Sequence, residues 1–291
     1  MAVTTTDGAR VTVAELVARL EAGVQGVTTS DGWRAYLAAQ AKFYHYSLGN
    51  TLLIMAQMPS ATRIGGFHFW LRLGRHVKKG EHGLRILAPV TVRKVEDEDE
   101  DGSDGGDDAR TVTRFRIVTV FDISQTDGEP LAEHPCQKLT TDSERGRWLL
   151  AHLLDLARAE GIAVREDATD LGTANGCYYP ATHSIALAAG LSEDARAKTL
   201  CHEIAHAILH RRTDRTRQEQ EAEAEGTAFV VAAWAGLDTS SYSFAYVADW
   251  AGRDDAAALV RQTGSTIQRA AAKIIAALDP AAEAGNARET A

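Results

Sequence analysis

Residues 199 to 210, TLCHEIAHAILH, set His202 and His206 four apart around Glu203. On an α-helix four residues advance about 6 Å and overshoot a full turn by only about 40°, so both imidazoles leave one face and can share a cation. Zinc takes neutral imidazole nitrogens at about 2.0 to 2.1 Å, and a hydrolytic zinc site keeps three protein ligands beside one open position. A water activated in that position attacks an amide carbonyl, and Glu203 stands where a carboxylate would accept its proton. The neighbours sharpen the reading: Leu200, Cys201, Ile204, Ala205, Ile208 and Leu209 make the rest of the stretch apolar. Two histidines and a glutamate buried among them would be costly without a partner.

A third ligand must come from elsewhere. His210 lies about 12 Å of helical rise from His202, too far to share its cation, and the glycine turn of the longer HExxHxxGxxH pattern is absent. His210 is therefore expected at the surface or as a partner of the helix C-terminal dipole. Downstream, EAEAE places Glu221 and Glu225 four apart on one helix face. One of them can ligate while the other orients a ligand imidazole from behind. Glu223 points the other way, and together with Glu219 it is expected on the solvated side of the helix N-terminus.

These residues need elements to position them. LSEDARAKTLCHEIAHAIL reads as a helix capped by Ser192, with Glu193 and Asp194 in its first turn. A second helix begins near Arg217 and ends at Gly236, and NGCYYPATHSIALA before them reads as a hairpin. RGRWLLAHLLDLARAEG is an amphipathic helix stopped by Gly161, and a last helix spans roughly 254 to 278. Toward the N-terminus, VTVAELVARLEAGV and SDGWRAYLAAQAKFYHYS read as helices, the second capped by Ser30 or Asp31. LGNTLLIMAQMP is a third, and FHFWLRLG makes about two turns closed by Gly74. RHVKKGEHGLRILAPVTV is expected to form a hairpin, and RTVTRFRIVTVFDI a further strand of its sheet. The run EDEDEDGSDGGDDA cannot bury apolar surface and is expected to be a disordered loop, residues 95–109, between those strands.

The 291-residue chain is 45% hydrophobic and 24% charged, a composition that supports a sizeable core and more than one domain. Its longest apolar run, AFVVAAWAGL, is well short of the roughly 18 residues of a membrane span, and no cationic-then-apolar leader opens the chain. A cytoplasmic protein with no membrane partner is expected. Three scattered cysteines form neither a disulfide framework nor a CxxC ligand pair. The net charge of −9 is uneven: residues 1–94 hold 12 Lys and Arg against 5 Asp and Glu, while residues 95–109 hold 9 acids and no base. Arg63, Arg72, Arg75, Lys78, Lys79 and Arg85 crowd the basic part, interleaved with Phe67, Phe69 and Trp70. Cations neutralise phosphates and aromatic rings stack bases without reading sequence, which points to nucleic acid. A polar, proline-containing stretch, DGEPLAEHPCQKLTTDSE, marks the domain boundary.

The C-terminal half, with its hairpin followed by HExxH, resembles the glutamate-ligand zincins of the ImmA/IrrE metallopeptidase type. That group carries its ligand glutamate in an ExxA[DN] pattern, matched here by Glu221, Ala224 and Glu225, with Glu in the last place as a departure. The resemblance implies Glu221 as third ligand and Glu225 behind the ligands. Tyr178 and Tyr179, on the hairpin, become candidates for stabilising the oxyanion, with packing as their alternative role. The N-terminal half, with YSLGNTLLIMAQMP, FWLRLGRHVKKGEHGLRILAP and VFDISQTDGEP, resembles the single-stranded-DNA-binding domain of ArdC-type antirestriction proteins, which join the same two domains in the same order. The likeness spans most of residues 10 to 275 and implies a mobile-element protein that shields incoming DNA from restriction; the acidic insert is not part of that expectation.

The expected fold is α+β: a mixed helix and antiparallel-sheet DNA-binding domain at 1–138, a zincin-like metallopeptidase domain at 139–279, and a flexible tail at 280–291. The expected activity is a zinc-dependent peptidase site, other divalent metals being admissible, in a protein that binds single-stranded DNA. The sequence does not identify its protein substrate, a restriction enzyme or a repressor. The alternatives are a DNA-responsive peptidase cleaving a repressor, and a DNA-binding protein whose metal is purely structural.

Overall fold

A computed structural model of the chain describes residues 3–4, 10–93, 111–129, 142–237 and 253–279. The fold is α+β. A two-residue pair, β1 (Val3–Thr4) and β2 (Arg10–Val11), precedes three helices: α1 (Val13–Gly26), α2 (Ser30–Lys42) and α3 (Leu48–Gln57). Thr12 starts α1 through a reciprocal box with Glu15, which satisfies two otherwise orphaned amides. The cap of α2 is Thr29, whose side chain accepts the Gly32 amide, and not Ser30 or Asp31. Those two lie inside the first turn, where the carboxylate of Asp31 still faces the positive end of the helix.

Next come β3 (Ile64–Gly66), α4 (Phe67–Arg72), β4 (Arg75–Val77), β5 (Leu84–Arg93), β6 (Thr111–Asp122) and β7 (Thr126–Gly128). The expected hairpin between β4 and β5 does not form. β5 pairs antiparallel with β6 from Leu84↔Val120 to Arg93↔Thr111, in a sheet ordered β3-β6-β5, whereas β4 pairs with β7. A ten-residue ladder to β6 offers β5 far more cross-strand pairs than three-residue β4 could. The acidic run therefore joins two paired strands, as expected; it lies outside the described residues, as do most of the boundary stretch and the tail.

The C-terminal part contains α5 (Asp142–Ala159), β8 (Ala163–Ala168), β9 (Gly176–Tyr179), β10 (Ser184–Ala188), α6 (Glu193–Leu209), α7 (Arg217–Trp234) and α8 (Ala256–Leu278). β9 and β10 form the expected hairpin. β8, parallel to β10 on its other side, carries no sequence signal. Half of its residues, AVREDA, are charged, and only Ala168 is buried.

One core crosses the whole chain. Trp33, Tyr36 and Leu37 of α2 share a buried cluster with Leu149 and Leu153 of α5, Leu200 and Ile204 of α6, Phe229 and Val230 of α7, and Ile267 and Ile274 of α8. Gly264 of α8 permits that closeness: a Cβ there would meet Leu48 Cδ1 at 2.2 Å, and its carbonyl accepts the Tyr36 hydroxyl. Phe43, Ile54, Ile64, Leu84, Ile86 and Val120 form a second cluster beneath the β3-β6-β5 sheet. Among the described residues no helix is long and apolar enough to cross a membrane.

Candidate metal centre and basic surface

α6 begins at Ser192, whose side chain accepts the Ala195 amide, and buries Leu200, Cys201 and Ile204 against the core. That burial fixes the rotation of the helix, so His202 and His206 emerge on the side facing α7. α7 starts at Thr216 through a capping box with Glu219 and presents Glu221 and Glu225 to the two histidines. The Nε2 atoms of His202 and His206 lie 3.1 Å apart. Glu221 Oε2 is 3.5 Å from His202 Nε2 and 3.8 Å from His206 Nε2. A cation about 2.1 Å from each of three tetrahedral ligands would hold them about 3.4 Å apart. The donor set of two imidazoles and one carboxylate therefore fits a divalent cation, and all three ligand atoms fall within 4.8 Å of one another.

Glu225 sits behind His202, with Oε2 3.3 Å from Nδ1, the nitrogen opposite the cluster. Glu203 is buried. Burial pushes its pKa up, against the pull of His202, His206 and a hydrogen bond from the Tyr178 amide. Its carboxylate borders a cavity of about 280 Å³ lined also by Gly176, Lys198, Thr199, His202 and Glu225. Glycine is needed at 176, because a Cβ there would stand 2.5 Å from Thr199 Cγ2 and 3.1 Å from Glu203 Oε1. Neither tyrosine lines that cavity. Tyr178 is packed against the core with its hydroxyl 2.9 Å from His183 Nδ1, the packing alternative, and Tyr179 is exposed at the end of β9. Burial pushes the Cys201 thiol up to about 12, as expected of an inert core cysteine; Cys136 is outside the described residues.

Two expectations are corrected. His210 is not a surface residue: it is buried, with Nδ1 2.9 Å from His206 Nδ1 and Nε2 3.0 Å from Glu223 Oε2. Glu223 does point away from Glu221, but not into solvent, for it is only 1% exposed. The segment between the helices folds back over that face, and Arg215 Nη2 donates to Glu223 Oε1 at 2.7 Å. Helical periodicity assigned the face correctly and could not show what covers it.

The basic residues divide by partner. Arg75 spends its guanidinium on the β4–β7 pair, donating to Thr126 Oγ1 and to the Thr126 and Gly128 carbonyls. Lys78 donates to the Ser124 carbonyl and pairs with Asp127. Arg85 is half-buried against the Thr119 hydroxyl. Arg63, Arg72 and Lys79 are exposed. Of the three aromatics, Phe69 and Trp70 are core residues, and Trp70 donates its indole N–H to the Gly65 and Phe121 carbonyls; only Phe67 is exposed. Sequence reasoning missed Arg114, Phe115 and Arg116 on β6, all exposed, with Phe115 56% exposed. Their signal in the sequence is TRFR, an aromatic between two cations in a strand.

Residues 8–121 match the family described as the N-terminal domain of anti-restriction factor ArdC, and residues 157–242 match the IrrE N-terminal-like domain. An uncharacterized protein of Bacillus anthracis is 27% identical over 243 residues, 72% of this chain. The chain spans 41% of that relative's length. Among solved structures, the metal-free antirestriction ArdC protein from the R388 plasmid superposes with a TM-score of 0.53 at 20% identity, covering 91% of this chain and 97% of that one. Its Mn(II)-bound form gives 0.52 at 19% identity over the same shares.

Proposed function

This chain is an ArdC-type protein, an ArdC N-terminal domain followed by an IrrE-like domain, and from that premise we propose that it is an antirestriction protein that binds single-stranded DNA and carries a metal-dependent peptidase site. His202, His206 and Glu221 hold the metal in this reading, and Glu225 orients His202. The observation that carries it is the convergence of those three ligand atoms beside a buried carboxylate and an open cavity. A divalent cation held there supplies Lewis acidity to a substrate carbonyl. The chain's own residues supply the rest. Glu203 takes a proton from the attacking water and returns it to the departing amine, and its raised pKa suits both duties. Gly176 leaves room for substrate backbone beside that carboxylate.

Zinc is the cation whose usual ligands this set matches, and manganese is the alternative, since the solved relative binds Mn(II). Structural zinc sites are closed by four protein ligands, whereas this cluster has three among the described residues and a cavity at its side, which favours hydrolysis over a purely structural metal. The N-terminal DNA-binding reading, with domains at 1–138 and 139–279, rests on the family match and on exposed Arg72, Lys79, Arg114, Phe115 and Arg116. The test is Glu203→Gln. It should leave metal content and DNA binding intact, abolish peptide hydrolysis, and hold a protein substrate long enough for capture. A restriction enzyme in that trap supports antirestriction; a repressor moves the function to regulation. Retained hydrolysis in the variant removes Glu203 from the mechanism.

A further inference from the structure

Two buried polar side chains, one at the C-terminal cap of α6 and one in α7, have no task in the peptidase reading. His210 and Glu223 are 3% and 2% exposed at their side chains. Removing such groups from water is costly, and an apolar pair of similar volume often packs as well or better. Their hydrogen bonds form a single directed chain. Glu223 is held by Arg215 through Oε1 and, as a carboxylate, only accepts. Its Oε2 must then take the Nε2 proton of His210, 3.0 Å away. In the tautomer with its one proton on Nε2, His210 keeps a lone pair on Nδ1, placed to accept a proton carried on His206 Nδ1, 2.9 Å away. With its proton placed on Nδ1, His206 presents a bare lone pair on Nε2, the atom that faces His202 and Glu221.

We propose that His210, anchored by Glu223 and Arg215, is the positioning residue that sets the tautomer and ring orientation of His206 for a divalent cation. This rests on the reading of His206 as a ligand. It assigns His206 a support of its own, as Glu225 supports His202, and the two supports act through different imidazoles. Ligand histidines commonly donate their second N–H to a carboxylate or carbonyl; here an imidazole stands between ligand and carboxylate and bridges the distance from His206 to Glu223.

The test uses the full-length protein with Co(II) as the probe, reading its dissociation constant and the paramagnetically shifted NMR signals of exchangeable imidazole protons. Wild-type protein should show two such signals, one from each Nδ1–H. The one from His206, donated into the buried His210, should exchange with solvent more slowly than that from His202. His210→Phe keeps ring volume and removes both hydrogen bonds. It should weaken Co(II) binding about 10- to 100-fold and speed exchange of the slow signal only. Glu223→Gln should weaken binding less, and combining it with His210→Phe should add nothing, because both act along one chain. Glu225→Ala combined with His210→Phe should multiply.

Wild-type affinity and both signals retained in His210→Phe would overturn the proposal, as would multiplicative losses for His210→Phe with Glu223→Gln. Should His210→Phe fail to fold, the wild-type spectrum decides: two equally fast exchanging signals sink the proposal. No Co(II) uptake by wild type brings down the metal reading together with this inference.

Discussion

At the residue scale the centre is a competition for His202. Burial opposes its charge, yet the hydrogen bonds it donates to Glu221 and Glu225 and the charge of Glu203 push its pKa up to about 9. The same contact, first with His202 and then with His206, holds Glu221 well below the usual carboxylate range. An unfolded histidine titrates near about 6.5, so the extra stability from this proton is complete below that pH and is lost as pH rises through the folded value. Metal-free protein should therefore lose melting temperature between about pH 6.5 and 9. A cation wants the lone pair that the proton occupies. Titration with zinc at pH 7.5, in buffers of differing ionisation enthalpy, should show about one proton released per metal, with apparent affinity rising about tenfold per pH unit up to that pKa. Metal uptake without proton release would mean that His202 is already neutral. The cations of the N-terminal half divide at the same scale. Arg72→Glu and Lys79→Glu should weaken single-stranded DNA binding on every sequence and flatten its salt dependence, each by about one counterion, with melting unchanged. Arg75→Glu should instead lower the melting point, because its guanidinium joins β4 to β7. Loss of DNA binding by Arg75→Glu at unaltered stability would reverse that division.

At the element scale, what was legible had a period or a punctuating residue. Ser192, Gly74, Gly161 and Gly236 bound helices or turns where the sequence put them, and α7 starts at Arg217 as expected. The shared face of His202 and His206 and that of Glu221 and Glu225 followed from the helical repeat. β8 and the partner of β4 were not legible, because strand pairing is decided by residues far along the chain: β4 waits for β7 some fifty residues later. The same holds for His210, whose burial depends on how residues 210–216 fold back. Asp122 shows how such a distant junction is secured. Its carboxylate accepts the amides of Thr62, Arg63 and Ser124; burial raises its pKa, but these bonds together hold it below the usual range. Asp122→Ala would orphan all three amides. It should cost about 2 to 4 kcal/mol in urea denaturation, since each buried group left unpaired costs about 1 to 3 kcal/mol and some regain water. A loss under 1 kcal/mol would show that the junction is held by strand pairing alone.

At the scale of the whole molecule, the two matched segments share a core. α2, inside the ArdC-type segment, packs its Trp33, Tyr36 and Leu37 in the same cluster as Leu200 and Ile204 of α6, the helix that carries His202 and His206, and Phe229 of α7. Gln268 of α8 donates to the Tyr44 carbonyl, and the Tyr36 hydroxyl reaches the Gly264 carbonyl, so polar contacts follow the apolar ones across the boundary. Packed cores transmit strain and do not deform gradually. A cation bound between α6 and α7 should then stabilise α2 as well. With free zinc at a hundredfold its dissociation constant, linkage predicts about 2.7 kcal/mol of added stability. Hydrogen exchange should slow by a comparable factor in α2 and in α6 if they open together. Gly264→Val, which would drive a side chain against Leu48 and Tyr36, should cost about 1 to 3 kcal/mol through overpacking and lower one shared melting transition. Exchange in α2 that ignores zinc, or a Gly264→Val melt that splits in two, would show that the halves unfold independently in spite of their common core.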